Sequence, residues 1–343
     1  MAEPPGARRG EWWALIGTIP RPEPSGWLQT AHDHTRILDR AYRVGVLTVR
    51  PGEKRLVEYL ATEPQSLEGI RRFPSWPLIV EGSLPTAVER ISADGPNEVL
   101  VREPNWSVVA RDMSADLRTL TGLLSLVWCE PWQVRTAPTQ CALLPPRVPD
   151  PRPSPPYWSD DRNDPDPHHE ALPDWVTGAW DRIGRDRSLS TALASWHEGL
   201  LLTPSHPSFA HVAFVGAIEN LASSAMFGQL VLDSVGAGAG STKRFWAMVD
   251  LEATPEEAAN LRAWKVDEKR GATAHGGGLH GIEQIYGAAI LLEWVPSDAP
   301  GGVGRLDLSP SDPVANFLFR VLPTVQDIAR RLLTRALGGD PAS

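Results

Sequence analysis

The sequence predicts an α+β protein: a strand-rich N-terminal domain followed by an all-α helical bundle. Three observations carry this expectation. Short β-like runs, separated by proline and polar clusters, fill the first hundred residues. The stretch "LLPPRVPDPRPSPPYWSDDRNDPDPHHEALP" is dominated by proline and aspartate, which exclude a helix or a central strand there. Beyond it the apolar residues recur at helical spacing. The expected domains are residues 1–145, strand-rich with one terminal helix, a Pro/Asp-rich linker over 146–170, and a bundle over 171–338.

Taken in chain order, "EWWALIGTI" reads as a first strand and the alternating "RVGVLTV" as another. "WPLIVEGSL" and "NEVLVREPNWSVVARDM" add short β-like runs broken by proline. From Asp112 the period changes. Leu117, Leu120, Leu123, Leu124 and Val127 form a helical stripe, with Ser114 placed to cap its start and Pro131 to mark its end. After the linker, "DWVTGAWDRIG" and "LSTALASWHEGLLL" are helices, and "FAHVAFVGAIENLASSAMFGQLVLDSV" is a long, largely apolar and central one. "GAGAGSTKRFWAMVDL" is a glycine-rich loop entering a helix. "TPEEAANLRAWKVDEKR" carries Thr254 as N-cap, Pro255 at the first position and Glu257 three after the cap. "LHGIEQIYGAAILLEWV" and a closing helix interrupted or kinked at Pro323 complete the bundle.

The composition is that of an ordinary globular protein. Of 343 residues, 42% are hydrophobic and 22% charged, which suffices for sizeable cores. The net charge of −9 argues against broad, non-specific nucleic-acid binding through a basic surface, although a local basic groove stays compatible with it. The two cysteines, Cys129 and Cys141, fit neither a zinc pattern nor a disulfide framework. No secretory signal opens the chain and no apolar run is long enough to span a bilayer, so the expectation is a cytoplasmic protein without membrane partners.

The stretch "KRGATAHGGG" carries the chemistry. An arginine can orient a phosphate through two donors, and a histidine can give or take a proton near neutral pH. Together they suit cleavage of a phosphodiester by its neighbouring 2'-hydroxyl, a reaction that needs no metal. On a continuous helix, Arg270 and His275 would lie about 140° apart. A helix ending or bending at Gly271 would let both turn toward one cleft, and Gly276–Gly278 predict a helix end or tight turn beyond His275.

These residues resemble the HEPN superfamily, and more closely its ApeA-like branch. That family is an all-α bundle with an Arg-x4-6-His motif, often followed by glycine, matched here by Arg270 through His275-Gly276. "FVGAIENLASSAMF" resembles the family's long helix with an acidic residue before a leucine, which makes Glu219 the counterpart, and "STKRFWAMV" resembles the stretch between. The resemblance covers residues 171–338 and the N-terminal part only loosely. It implies a metal-independent endoribonuclease of a defence, toxin or stress system, acting as a homodimer whose motifs face a shared cleft. Arg270 would hold the scissile phosphate, His275 would transfer the proton, and Glu219 would orient one of them or hold helices together. Apart from the resemblance, Lys243 and Arg244 would add positive charge on the substrate side of the cleft, and His280 would lie beside it or cap the next helix. The sequence departs from the pattern at Gly271, where catalytic members often carry a polar residue. The second reading is therefore a non-catalytic HEPN-like sensor or assembly module binding a ligand, nucleic acid or partner protein.

Other motifs carry less. His275, His280 and Glu283 look superficially zinc-like, but the spacing suits neither one helical face nor HExxH, so no metal and no cofactor are expected. "GAGAGSTKRF" fails the Walker spacing and reads as a flexible connector. His32, His34, His168 and His169 lie in loop-like sequence, whereas His197 and His211 lie in apolar helices and read as core or interface residues.

Overall fold

The structure, a computed structural model, describes residues 11–18, 21–22, 36–52, 71–72, 76–83, 89–94, 99–104, 106–135, 138–140, 168–281, 283 and 313–340. It is a mixed α+β chain divided into two compact units. One comprises residues 1–121 and 132–172, the other residues 122–131 and 173–343.

The first unit is built on a six-stranded antiparallel sheet. Strand β1 (Glu11–Thr18) lies at its centre. It pairs with β7 (Leu78–Ser83) on one side, and with β10 (Trp132–Val134) and β11 (Thr139–Gln140) on the other. The sheet continues from β7 through β5 (Leu47–Pro51) to β4 (Tyr42–Val44). Side chains of a strand alternate between faces, so Trp13 and Leu15 share one side with each other, and Trp12, Ala14 and Ile16 share the opposite one. All five are buried, so β1 is covered on both faces. "RVGVLTV" is not one strand. Val44 pairs with Leu47 across a two-residue turn whose first residue, Gly45, has φ +58°, and the run folds into a hairpin.

Among the described residues, three two-stranded pairs lie outside this sheet. These are β2 (Arg21–Pro22) with β6 (Arg71–Arg72), β8 (Glu89–Asp94) with β9 (Val99–Pro104), and β3 (Arg36–Leu38) with β12 (His168–Glu170). The last pair corrects the expected linker at its end: residues 168–170 form a parallel strand rather than a connector. Most of the proline- and aspartate-rich run, with Cys141, His32 and His34, lies outside the described residues.

Helix α1 (Trp106–Trp128) begins six residues before the expected Asp112, immediately after the strand that Pro104 ends. Ser114 therefore sits inside the helix and does not cap it. The helix stops before Cys129, whose φ of +53° breaks the helical path ahead of Pro131.

The second unit is helical. It contains α2 (Trp175–Arg185), α3 (Arg187–Leu202), α4 (Pro207–Leu221), α5 (Gly228–Val235), α6 (Ser241–Glu252), α7 (Pro255–Trp264) and α8 (Val266–Gly276). The C-terminal α9 (Pro313–Asn316), a π-helical turn (Phe317–Val321) and α10 (Leu322–Ala336) follow one another without a break. Helix α4 is the hub and packs against α3, α6, α8 and α10. Its Ala210, His211, Phe214, Ala217, Ile218 and Leu221 are fully buried. Helix α3 approaches so closely that a Cβ on Gly199 would lie 2.5 Å from the Phe214 ring. The Trp196 indole donates to the Gln326 carbonyl at 3.1 Å and ties α3 to α10.

Three expected helices differ in extent. The long apolar helix is two, because the Ser224 hydroxyl donates to the Leu221 carbonyl at 2.7 Å and diverts the chain into a turn before Gly228. The capped helix has its Thr254–Glu257 capping box, but it ends at Trp264, where Lys265 adopts φ +60°. The irregularity expected at Pro323 is the π turn just before it, which shifts the backbone ladder where proline offers no N–H. The helix expected after His280 lies, beyond Glu283, outside the described residues.

Candidate functional site

The site grows from the pairing of α4 with α8. Because α7 ends at Lys265, α8 starts afresh at Val266 and carries Lys269, Arg270 and His275. Gly271 lies within this helix, so the break expected there is absent. Arg270 and His275 stay on one continuous helix, about 140° apart, and do not turn toward one cleft within the chain. His275 is exposed, whereas Arg270 is half-buried.

The helix end falls where the glycines predict it. Gly277, at φ +66°, takes the left-handed conformation that only glycine adopts freely. Its N–H donates to the Thr273 carbonyl at 3.3 Å, and that of Gly278 donates to the Ala272 carbonyl at 3.1 Å. The Thr273 hydroxyl donates to the Gly278 carbonyl at 2.6 Å and folds the chain back along the helix.

Arg270 meets Glu219. Its Nη2 donates to the Glu219 Oε2, a contact between residues 51 apart in sequence. Their side chains are 27% and 16% exposed. Burial pushes the Glu219 carboxyl above the usual carboxylate range, while the Arg270 charge and the polar Ser241 hydroxyl pull it down. The Arg270 Nε is buried without an acceptor, so the guanidinium is only partly satisfied.

Ser241 brings the first turn of α6 to this pair. Arg244, three residues on, shares the Ser241 face and is half-buried, with its Nε buried and lacking an acceptor. Lys243, two residues on, lies on a different face and is exposed.

About two turns toward the start of α4 from Glu219 lies a second cluster. The Trp264 and Phe317 rings stack at 5.1 Å and 14°. His211 stands edge-on to both, at 5.6 and 5.8 Å, and His280 does likewise at 5.5 and 6.3 Å. The Lys269 ammonium lies 3.9 Å from the Trp264 ring centre. His280 Nε2 donates to the Lys269 carbonyl at 3.2 Å, since a carbonyl can only accept, and Nδ1 is left as the acceptor nitrogen. His211 is completely buried with neither ring nitrogen hydrogen-bonded. Burial first, and then the charges of His280, Arg270 and Lys269, push it down to about 3, so it is neutral at physiological pH. Burial likewise lowers His280 and Lys269.

The returning loop is fixed on the start of α4. The Ser208 hydroxyl accepts from the backbone N–H groups of His280 and Gly281, at 2.8 and 3.1 Å. The buried Glu283 carboxylate accepts from the Ser208 N–H at 2.7 Å and serves as a cap supplied from a distant part of the chain. Glu283 is thus engaged with backbone. Among the described residues no group of three histidine, cysteine, aspartate or glutamate side chains is placed to hold a metal ion.

Of the residues singled out in the sequence, the structure unites Arg270 with Glu219 and sets His280 on the aromatic pair. It leaves His275 and Lys243 on other faces. Ser241, Trp264 and Phe317 escaped the sequence reading. The end of α7 at Trp264 is set by the left-handed Lys265, and nothing local marks Ser241 or Phe317. No helix among the described residues is long and apolar enough to cross a membrane. No protein-family model, curated protein or solved structure matches this chain.

Proposed function

We propose that the helical unit is a HEPN-like domain and that the protein is a metal-independent endoribonuclease working as a homodimer in a defence or stress response. The observation that carries this reading is the pairing of Arg270 with Glu219, the two residues that the family resemblance puts in its site. In the proposed reaction, Arg270 neutralises a non-bridging phosphate oxygen. The 2'-oxygen forms a bond to phosphorus as the bond from phosphorus to the 5'-oxygen breaks. One proton leaves the 2'-hydroxyl for an imidazole and one is delivered to the 5'-oxygen. The products are a 2',3'-cyclic phosphate and a 5'-hydroxyl. His275 is the proton-transfer group. Because it faces away from Arg270 of its own chain, it acts beside Arg270 of a second copy.

The same separation favours a second reading. With no convergence inside one chain, and with Gly271 where a polar residue is frequent, the domain would bind RNA, a ligand or a protein without cutting. Incubation with RNA in the presence of a chelator separates the two. Cleavage to cyclic-phosphate ends, lost in Arg270→Ala and His275→Ala, supports the nuclease. Co-expressing the two single variants should restore partial cleavage if each cleft draws on two copies. Binding without cleavage at every protein concentration supports the module.

A further inference from the structure

We propose that Glu219 is a latch on Arg270: its carboxylate occupies the guanidinium where an RNA phosphate would bind, and the site opens when the phosphate displaces it. The inference rests on the reading of Arg270 as the phosphate-holding residue and adds a mode of regulation to it.

Carboxylate and phosphate seek the same donors with the same charge, and two anions do not share one half-buried guanidinium. In the resting chain Glu219 holds Nη2 alone and leaves the buried Nε without an acceptor. A phosphate can engage two parallel N–H donors, so it offers Arg270 more than Glu219 does. The latch is itself held from a movable point. Ser241, whose hydroxyl favours the charged form of Glu219, opens α6 directly after the glycine-rich run 236–240. Gly236, Gly238 and Gly240 have open space where a side chain would stand, so little packing resists a shift of that segment. Ser241 can therefore release Glu219 without disrupting the buried side of α6, formed by Phe245, Met248 and Val249.

The test measures binding of inorganic pyrophosphate to the full chain by titration calorimetry, with RNA cleavage assayed in parallel. Glu219→Gln keeps the shape and removes the competing charge, and it should tighten pyrophosphate binding by roughly tenfold or more. The gain should vanish in Glu219→Gln/Arg270→Ala. Ser241→Ala, which leaves the pair intact but loosens its hold, should tighten binding by a smaller factor, so the idea stays testable if Glu219→Gln folds poorly. Equal or weaker binding in both Glu219→Gln and Ser241→Ala overturns the latch, as does a gain that survives loss of Arg270. Tightened, Arg270-dependent binding without cleavage of any RNA upholds the latch and removes the nuclease reading. Cleavage by the wild type with no tightening in either variant does the reverse.

Discussion

Arg270 and His275 stand five residues apart on one unbroken helix and leave its axis about 140° from each other. Gly271 between them has no heavy atom, beyond its chain neighbours and the backbone of its own helix, within 4 Å of the position a Cβ would take. It therefore behaves as an ordinary helix-interior glycine. Gly271→Ala should stabilise the protein by about 0.5–1 kcal/mol. Chemical denaturation checks this, and a loss of stability would mean that the helix does break there.

Gly277 stands in contrast. Its positive φ is what turns the chain back toward Lys269 and the aromatic pair. Gly277→Ala should cost about 1–2 kcal/mol, whereas Gly276→Ala, at an open position with no left-handed requirement, should stay within about 0.5 kcal/mol of wild type. The ring resonances of His280 report on the same event. They should shift in Gly277→Ala and hold in Gly276→Ala.

His211 makes stability depend on acidity. Its pKa falls from 6.5 to about 3 on folding, so its contribution is complete above pH 6.5 and is lost as the pH falls toward 3. The loss across that window is about 5 kcal/mol. Glu219, raised by burial from 4.5, contributes with the opposite sign, since its stabilisation declines as the pH rises above that value. His211→Phe should flatten the acid side of the stability profile, and Glu219, common to both proteins, cancels in the difference. An unchanged slope between pH 6.5 and 4 would remove His211 as the cause.

Arg331 binds three carboxylates from three helices. It lies 3.3 Å from Glu252 and 3.0 Å from Glu257, and it also pairs with Asp327. The Glu252 side chain is only 5% exposed and has Arg335 as its other partner, at 2.8 Å. Arg331→Ala should cost about 2–4 kcal/mol, because it strands buried charge. Arg331→Lys should recover part of that, since an ammonium keeps the charge and loses the fork. Thermal melts of the three proteins order the effects.

The sequence was most readable where a local rule and the tertiary structure agree. Thr254, Pro255 and Glu257 announce a helix start that the fold keeps in full. The apolar run of β1 is likewise visible, because burial on both faces selects an unbroken series of apolar residues. Residues that act against propensity were not visible. Lys265 adopts a left-handed conformation that lysine rarely takes, so one apparent helix is two. Ser224 breaks another by a hydroxyl-to-carbonyl bond that many mid-helix serines make without consequence. The start of α1 was within reach, because Val109, Met113 and Leu117 extend the helical stripe backward past Asp112. In the site, Arg270 and His280 were marked by residue type and spacing, and Glu219 by the family resemblance alone. The role of Ser241 and the stack of Trp264 on Phe317 arise from helices brought together only by folding.

The link from Glu283 to Ser208 sets an order in time. The first turn of α4 receives its cap from a residue 75 positions downstream. At ordinary rates of synthesis that interval is about 4–15 s. During it the hub helix of the domain has left the ribosome with its leading turn uncapped and the face that α10 covers still open. Chaperone occupancy on the nascent chain should therefore rise in this interval and fall only once Glu283 and α10 have both emerged.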